Sequence, residues 1–543
     1  MSASAADVQA RSSRGFFGHP WGLSTLFMTE MWERFSYYGL RPLLSLFMAA
    51  TLLDGGFGME RPQATAIVGI YSGSLYLMSL PGGWIADRWL GLRRSIQYGA
   101  FLITAGHLCI GLSGFATSRV PFFLGLVLIV LGTGLLKPNI SAIVGDLYPE
   151  GGARRDAGFS IFYMGINLGS LLGQLVTGFL GEKYGYHWGF GAAGVGMLFA
   201  LLWFSFRAKP TLGDIGSEPT RDPDPVKQAS IVRNVKLATL GGLGVIALIV
   251  LLAATGVIVI DPQIVGRYMA YVLLALAVAF FASVYLFGKL TGDEKRRIAV
   301  IAVLFLAATV FWAAFEQAPT SLQFFAFNFT DRTLGGLLSE ANSIPATWFQ
   351  SINSLFIIIF APIFAWLWTT LGRRNINISS PAKFAFGLAI AGVGFLIMIF
   401  PANALVASGG ALKVSAWWLV FSYLLQTFGE LSLSPVGLSS MTKLSPRRYV
   451  GQMMGIWFLA SSIGNLVAGL VGGSVDPEKL EQTPTLFTWT TIALFAAAAL
   501  LGILIIPISK MMRGVGDTAD ENVEPMGAPI EADVQRNERE KGS

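Results

Sequence analysis

Thr29-Glu-Met-Trp-Glu-Arg-Phe-Ser-Tyr-Tyr-Gly-Leu-Arg41 places four formal charges inside an apolar run that extends from Trp21 to Leu53. At about 100° per residue on a helix, Glu30, Glu33, Arg34, Tyr37, Tyr38 and Arg41 fall within an arc of roughly 140°. One side of this helix is polar and the rest is greasy. A charge at a bilayer centre costs about 2.5–3.5 kcal/mol on insertion scales, so such residues face a partner or a wet cavity. The plain alternative is an ion-paired packing seam with no role beyond stability.

The surrounding chain decides that the solvent is lipid. Of 543 residues, 53% are hydrophobic and only 13% charged, with 63 glycines and 40 phenylalanines. That is far from the roughly 25% charged residues of a soluble domain and matches an all-α polytopic membrane protein. Apolar runs long enough to cross a core of about 30 Å lie near 21–53, 64–86, 95–116, 120–144, 157–181, 188–206, 235–259, 267–289, 297–319, 345–371, 382–401, 415–442, 450–473 and 485–509. Fourteen runs, an even number, put both termini on one side. Alternate loops starting with 87–94 hold 21 Lys and Arg against seven in the others, so the positive-inside rule predicts cytoplasmic termini. Residues 1–20 are polar and the first run is too charged for a signal-peptide core, so no cleavable leader is expected. One cysteine, Cys109, rules out an intrachain disulfide.

The longest internal loop, 207–234, contains Pro210, Pro219, Pro223 and Pro225 among charges and reads as a linker. The two runs after it carry no intramembrane charge and read as a peripheral insert. The expected layout is therefore 6 + 2 + 6. An N-terminal bundle occupies 1–206, the linker and insert 207–293, and a C-terminal bundle 294–513. Residues 514–543 are acidic and aperiodic, as in a disordered tail.

Beyond the first run, deep charges recur at three places only: Lys137 before Pro138, Glu316 in Phe311-Trp-Ala-Ala-Phe-Glu-Gln317, and Glu430 one turn before Ser434. The acids Glu30, Glu33, Glu316 and Glu430 face the bases Arg34, Arg41 and Lys137, so a single proton would make the set neutral. All the bases lie in the first six runs, and the last six contribute acids alone. Salt bridges between the halves are available to be made and broken as the halves rock, which is the physical core of a proton-coupled alternating-access carrier. Weaker polar signals come from Tyr76, the i,i+4 pair Tyr163 and Asn167, Trp312, Asn353 and Trp457. His107, alone on an apolar helix, reads as a hydrogen-bonded structural residue. Asp87, Arg93 and Arg94 in Gly82-Gly-Trp-Ile-Ala-Asp-Arg-Trp-Leu-Gly-Leu-Arg-Arg94 read as a cytoplasmic gate. No glycine-rich phosphate loop or soluble domain offers a nucleotide site, which argues against an ATP-driven pump. The basic residues lie in short loops between apolar runs, which is not a nucleic-acid signature.

With these residues assembled, the chain resembles a bacterial member of the proton-dependent oligopeptide transporter (POT, or PTR2) family of the major facilitator superfamily, over roughly 20–510. The resemblance rests on Glu30-x-x-Glu33-Arg34-Phe-x-Tyr37-Tyr38-Gly39, on Gly82-Gly83 with Ala86-Asp87 and Gly91, on Phe162-Tyr163-x-x-Ile-Asn167-x-Gly169, and on Phe311-Trp312 with Glu316-Gln317. One departure is Ser354, where the family often has proline. The resemblance implies the major facilitator fold and import of di- and tripeptides with protons across a bacterial cytoplasmic membrane. It implies a transporter and not an enzyme, with no cofactor or metal, acting as a monomer. A zwitterionic peptide needs fixed charge of both signs in one cavity. Arg41 and Lys137, with Tyr37 and Tyr76, suit its carboxylate. Glu430, with Ser434, suits its ammonium. Asn167 and Asn353 suit its backbone, and Tyr163, Trp312 and Trp457 its side chains. Coupling is expected to run through Glu316 pairing with Arg41, and through Glu30, Glu33 and Arg34 pairing with Lys137. The alternative is a carrier of the same architecture for nitrate, a drug or a sugar.

Overall fold

The computed structural model describes residues 15–115, 118–149, 152–374, 376 and 378–511. The expected tail, 514–543, lies outside the described residues. Among the described residues fourteen long helices run in order: α1 Trp21–Ala49, α2 Arg61–Ile85, α3 Leu92–Leu112, α4 Val120–Asp146, α5 Gly152–Tyr184, α6 Tyr186–Leu212, α7 Pro225–Ala254, α8 Pro262–Phe287, α9 Gly292–Phe329, α10 Trp348–Arg373, α11 Ser380–Ala407, α12 Trp417–Leu444, α13 Val450–Gly472 and α14 Gln482–Met511. Twelve of them are long and apolar enough to cross a membrane by length and composition alone. The other two are α1 and α12, which carry the Glu30–Arg41 stretch and Glu430. The helices with the weakest claim to lipid are those with the most buried charge.

Two apolar cores form, one from α1–α6 and one from α9–α14 with part of α8. Prolines interrupt the backbone beside the charges. Pro42 follows Arg41, Pro138 follows Lys137, and Pro435 follows Ser434, each inside its helix. A helical proline leaves the carbonyl four residues back without its donor and bends the axis. The strongest interruption is in α9, where the regular helix stops at Phe315, Glu316 takes the C-cap, and a π-helical turn over Ala318–Leu322 contains Pro319. Glu316 therefore sits at a break in mid-helix, with freed backbone around it.

Two boundaries differ from the sequence reading. α6 continues to Leu212, with Ala208, Thr211 and Leu212 buried, because this last turn packs back on its own bundle. The connection is then the short stretch 213–224, which is fastened down and not loose. The Arg93 amide donates to the Gly216 carbonyl at 2.8 Å, and the Thr220 amide donates to the Asp87 carbonyl at 2.8 Å. The insert is peripheral only in its first helix. α7 is exposed along its apolar length and rests on the π-helical turn Ala86–Leu90. α8 instead lies over the line where α2 meets α13: Gly266 faces Ile70 on one and Leu470 on the other.

The bundles meet along α2–α13 and α5–α10. On α2–α13 the backbones nearly touch. A Cβ on Gly69 would come within 2.8 Å of both the Gly469 Cα and the Asn465 carbonyl oxygen. Ser462 Oγ donates to the Gly73 carbonyl at 2.8 Å, and Arg61 donates to the Val475 carbonyl at 2.9 Å. On α5–α10, Trp348 Nε1 donates to the Leu175 carbonyl at 2.9 Å, and the Ser170 and Ser354 hydroxyls bond at 2.7 Å. Ser354, the departure from proline, thus lies in a continuous helix and supplies a bond between bundles. These polar contacts cluster toward the end that carries loops 50–60, 330–347 and 473–481. Two turns along α5 from Ser170, Tyr163 is 45% exposed, so the α5 side of the seam is open toward the other end.

Candidate functional site

α1 places Glu30, Glu33, Arg34, Tyr37 and Arg41 on one buried face, as the 100° spacing requires. Arg34 Nε lies 2.9 Å from Glu30 Oε1 and 2.6 Å from Glu33 Oε2. Two acids thus share one base in a dry setting. The Arg34 and Arg41 guanidinium carbons both stand over the Tyr37 ring, at 5.6 and 5.8 Å from its centroid. Tyr37 is thus the physical link between the Glu30–Arg34 cluster and Arg41, and cation–π attraction holds both bases to its faces.

Arg41 reaches across the seam. Its guanidinium is ion-paired with Glu316 of α9, and it also donates to Asn465 Oδ1 of α13 at 3.0 Å. Both charged side chains are under a tenth exposed. Ser45, one turn after Arg41, donates from Oγ to the Pro319 carbonyl at 2.8 Å. The helix break in α9 therefore exposes both the acid and a backbone acceptor to α1. The expected pairing of Arg41 with Glu316 is what the structure contains.

Lys137 departs from expectation. The carboxylates of Glu30 and Glu33 are taken by Arg34, their neighbour on α1, whose guanidinium, one turn from Glu30 and beside Glu33, reaches both. The Lys137 ammonium instead lies 3.9 Å from the centroid of the Tyr76 ring on α2. It still shares the electrostatic field of Arg34, Glu33, Glu30 and Glu316. Lys137 and Tyr76 are both half-buried.

In the C-terminal bundle, Asn353 Nδ2 on α10 donates to Glu430 Oε2 at 3.1 Å and to Thr427 Oγ1 at 2.9 Å. Asn353 therefore orients the acid instead of presenting a free amide. Glu430 is close enough to Glu316 and to Tyr163 of the opposite bundle to act on both electrostatically. Asn167 is buried, with its side-chain amide donating to the Tyr163 carbonyl at 3.0 Å, while Tyr163 itself is exposed. Ser434 is half-buried one turn from Glu430.

The two tryptophans are less available than the sequence suggests. Trp457 is buried between Gly437 and the Phe384 ring, 6.4 Å away. Trp312 is wedged between Phe311, Phe315 and the Gly464 backbone. Both are buried. Asp87 is exposed, and its carbonyl, with Arg93, fastens the 213–220 strap; Arg94 is exposed beside it. These bonds stay within the N-terminal bundle, so the expected gate does not join the bundles here. His107 is buried and, among the described residues, neither ring nitrogen has a hydrogen-bond partner. It is packed but not satisfied.

Three contributors are missing from the sequence reading. Asn465, the second partner of Arg41, was available as a solitary asparagine in the apolar run 450–473. Thr427 and Tyr71 carry no such signal; Tyr71 is buried with its ring 6.4 Å from Tyr37. Among the described residues no cluster of His, Cys, Asp and Glu is arranged to hold a metal ion.

The comparisons with known proteins agree with one another. The model of the PTR2 domain, described as the POT family, matches residues 93–485. The peptide transporter YePEPT of Yersinia enterocolitica is 49% identical over 500 residues, 92% of this chain and 96% of that one. A di-/tripeptide transporter of Lactococcus lactis is 37% identical over 93% of this chain and 99% of its own length. A crystal structure of a peptide transporter POT in complex with sulfate superposes with a TM-score of 0.84 at 38% identity, covering 94% of this chain and 100% of that one.

Proposed function

This chain belongs to the POT family and has the major facilitator fold, and we infer that it is a proton-coupled symporter importing di- and tripeptides by alternating access. The observation that carries the inference is the Arg41–Glu316 ion pair across the seam, with Lys137 and Glu430 in the same electrostatic field. A peptide zwitterion presents one charge of each sign several ångströms apart. A cleft with cations on one wall and an acid on the other matches both ends and leaves the side chains to apolar walls. An anion carrier would have no use for Glu430 held on Asn353, and a sugar carrier none for fixed charges of both signs.

The coupling step follows from charge balance. While Glu316 is ionised, it and Asn465 occupy the Arg41 guanidinium. A proton on Glu316 removes that partner, and Arg41 then takes the peptide carboxylate, with Lys137 sliding off Tyr76 to assist. Glu430 takes the ammonium. The acid-rich Glu30–Glu33–Arg34 cluster stabilises Lys137 and, through Tyr37, Arg41. Each proton entering down a 100 mV potential supplies about 2.3 kcal/mol, enough for roughly fifty-fold accumulation of a neutral solute.

The excess of basic residues on the loops at the open end supports a cytoplasmic placement of that end, in a bacterial cytoplasmic membrane with both termini inside. The conformation is then inward-facing. We assign α1–α6 and α9–α14 as the two moving bundles, with α7 and α8 as the insert between them. We take the working unit to be a monomer, as the family resemblance implies. Dialanine uptake into proteoliposomes under an imposed inward proton gradient tests the whole reading. Accumulation that collapses with a protonophore is expected, and gradient-independent equilibration would overturn it.

A further inference from the structure

Glu182 lies in the last turn of α5, beside the negative end of its own helix dipole, where a carboxylate gains nothing locally. It is nevertheless almost fully buried, with 6% of its side chain exposed. All its partners belong to the other bundle. Oε1 accepts from the Thr347 amide and the Thr347 hydroxyl, both at 2.9 Å. Oε2 accepts from the Ala346 amide and from Arg332, both at 2.9 Å. Four donors saturate the lone pairs of a carboxylate. Two of them are backbone amides at the start of α10, where no side chain of that helix supplies a cap. Thr347, the N-cap of α10, makes no capping bond of its own; its hydroxyl is spent on Glu182. Neighbouring contacts follow the same line: Lys183 donates to the Ala341 carbonyl at 2.7 Å, and Gly178 gives Thr347 room to approach.

We propose that Glu182 is a positioning residue of the transport cycle: it caps α10 from the opposite bundle and so biases the protein toward the form sealed at this end. Opening this end must break all four bonds together and leave the α10 N-terminus and Arg332 without their anion. The inference rests on the alternating-access reading above, but the device depends on no particular solute. Glutamine at 182 offers one acceptor oxygen and turns an amide NH2 toward donors, so it cannot replace the cap. Aspartate keeps the charge with one methylene less reach.

The test is a distance measurement between the bundles in the full-length protein without substrate. Spin labels are placed at Trp188→Cys on α6 and Trp417→Cys on α12, both exposed, in a Cys109→Ser background. E182Q is expected to raise the population of the longer distance about tenfold, as loss of charge-assisted bonds allows, and Glu182→Asp to recover part of the wild-type distribution. In transport, the KM for dialanine offered at this end should fall while the maximal rate drops. A purely structural residue would lower yield or melting temperature without moving the distance distribution. An unchanged distribution in folded E182Q, or aspartate no nearer wild type than glutamine, overturns the proposal. If the distances shift as expected while no variant or wild type transports dialanine, the peptide reading fails and the cap stands.

Discussion

Arg41 and Glu316 lie 275 residues apart in the chain and meet across the seam between the two bundles. The contact is at once a structural tie and the point where a proton has leverage. Both groups are buried, so neither can lose the other without a replacement: removing one partner of such a pair costs about 3–5 kcal/mol. A proton on the acid, or a carboxylate delivered to the base, is the replacement available to a carrier of zwitterions.

Glu316→Gln mimics the protonated acid permanently. Uptake driven by a proton gradient is expected to vanish, while exchange of labelled for unlabelled dialanine across the membrane persists. Concentrative uptake by this variant would remove Glu316 from the coupling step.

Asn353→Ala frees Glu430 from its amide donor without deleting the acid. Because a hydrogen bond to a charged group contributes about 1.5–3 kcal/mol, the KM for dialanine should rise roughly tenfold, and that of a peptide with a blocked amino group should change little. Glu430→Ala should lose dialanine binding altogether by isothermal titration calorimetry; retained affinity would refute the two-ended grip.

The Lys137 ammonium resting on Tyr76 predicts an uneven pair of substitutions. Tyr76→Phe keeps the ring face and should leave KM within about twofold, since cation–π attraction needs no hydroxyl. Tyr76→Leu removes the resting place and should raise KM about tenfold. Equal effects from both would point to the hydroxyl as the working group.

Gly69 and Gly469 allow α2 and α13 to close backbone to backbone. Gly69→Val adds a branched Cβ where 2.8 Å separates a Cβ from the facing Cα, so the seal beside Asn465 cannot form. Uptake should fall at least about tenfold, and the distance between labels at 188 and 417 should lengthen. Wild-type uptake by Gly69→Val would show that this crossing is not part of the cycle.

Much of the site was legible in the chain because burial of charge in lipid is so costly that few residues can carry it. Glu30, Glu33, Arg34, Arg41, Lys137, Glu316 and Glu430 stand out against apolar runs, and the structure brings them into one electrostatic neighbourhood. The pairing of Arg41 with Glu316 followed from the division of charge between halves. The partner of Lys137 did not, because sequence cannot tell that Arg34 already occupies both carboxylates on its own helix. The burial of both tryptophans is hidden for a related reason: an aromatic ring fits a wall and a cleft equally well until its neighbours are known. Glu182 sits just past the apolar part of its helix, where a charge looks ordinary, and its importance lies wholly in what α10 places opposite it.

What the amino-acid order determined by itself is the number of helices, the lipid environment and the stock of buried charge, since hydropathy and insertion cost are properties of local stretches. What only the tertiary structure decided is which charge holds which, where the bundles touch and which end is shut. Those depend on groups hundreds of residues apart arriving within about 3 Å of each other, and a hydrogen bond at that range is set by packing across the seam, which no local stretch encodes.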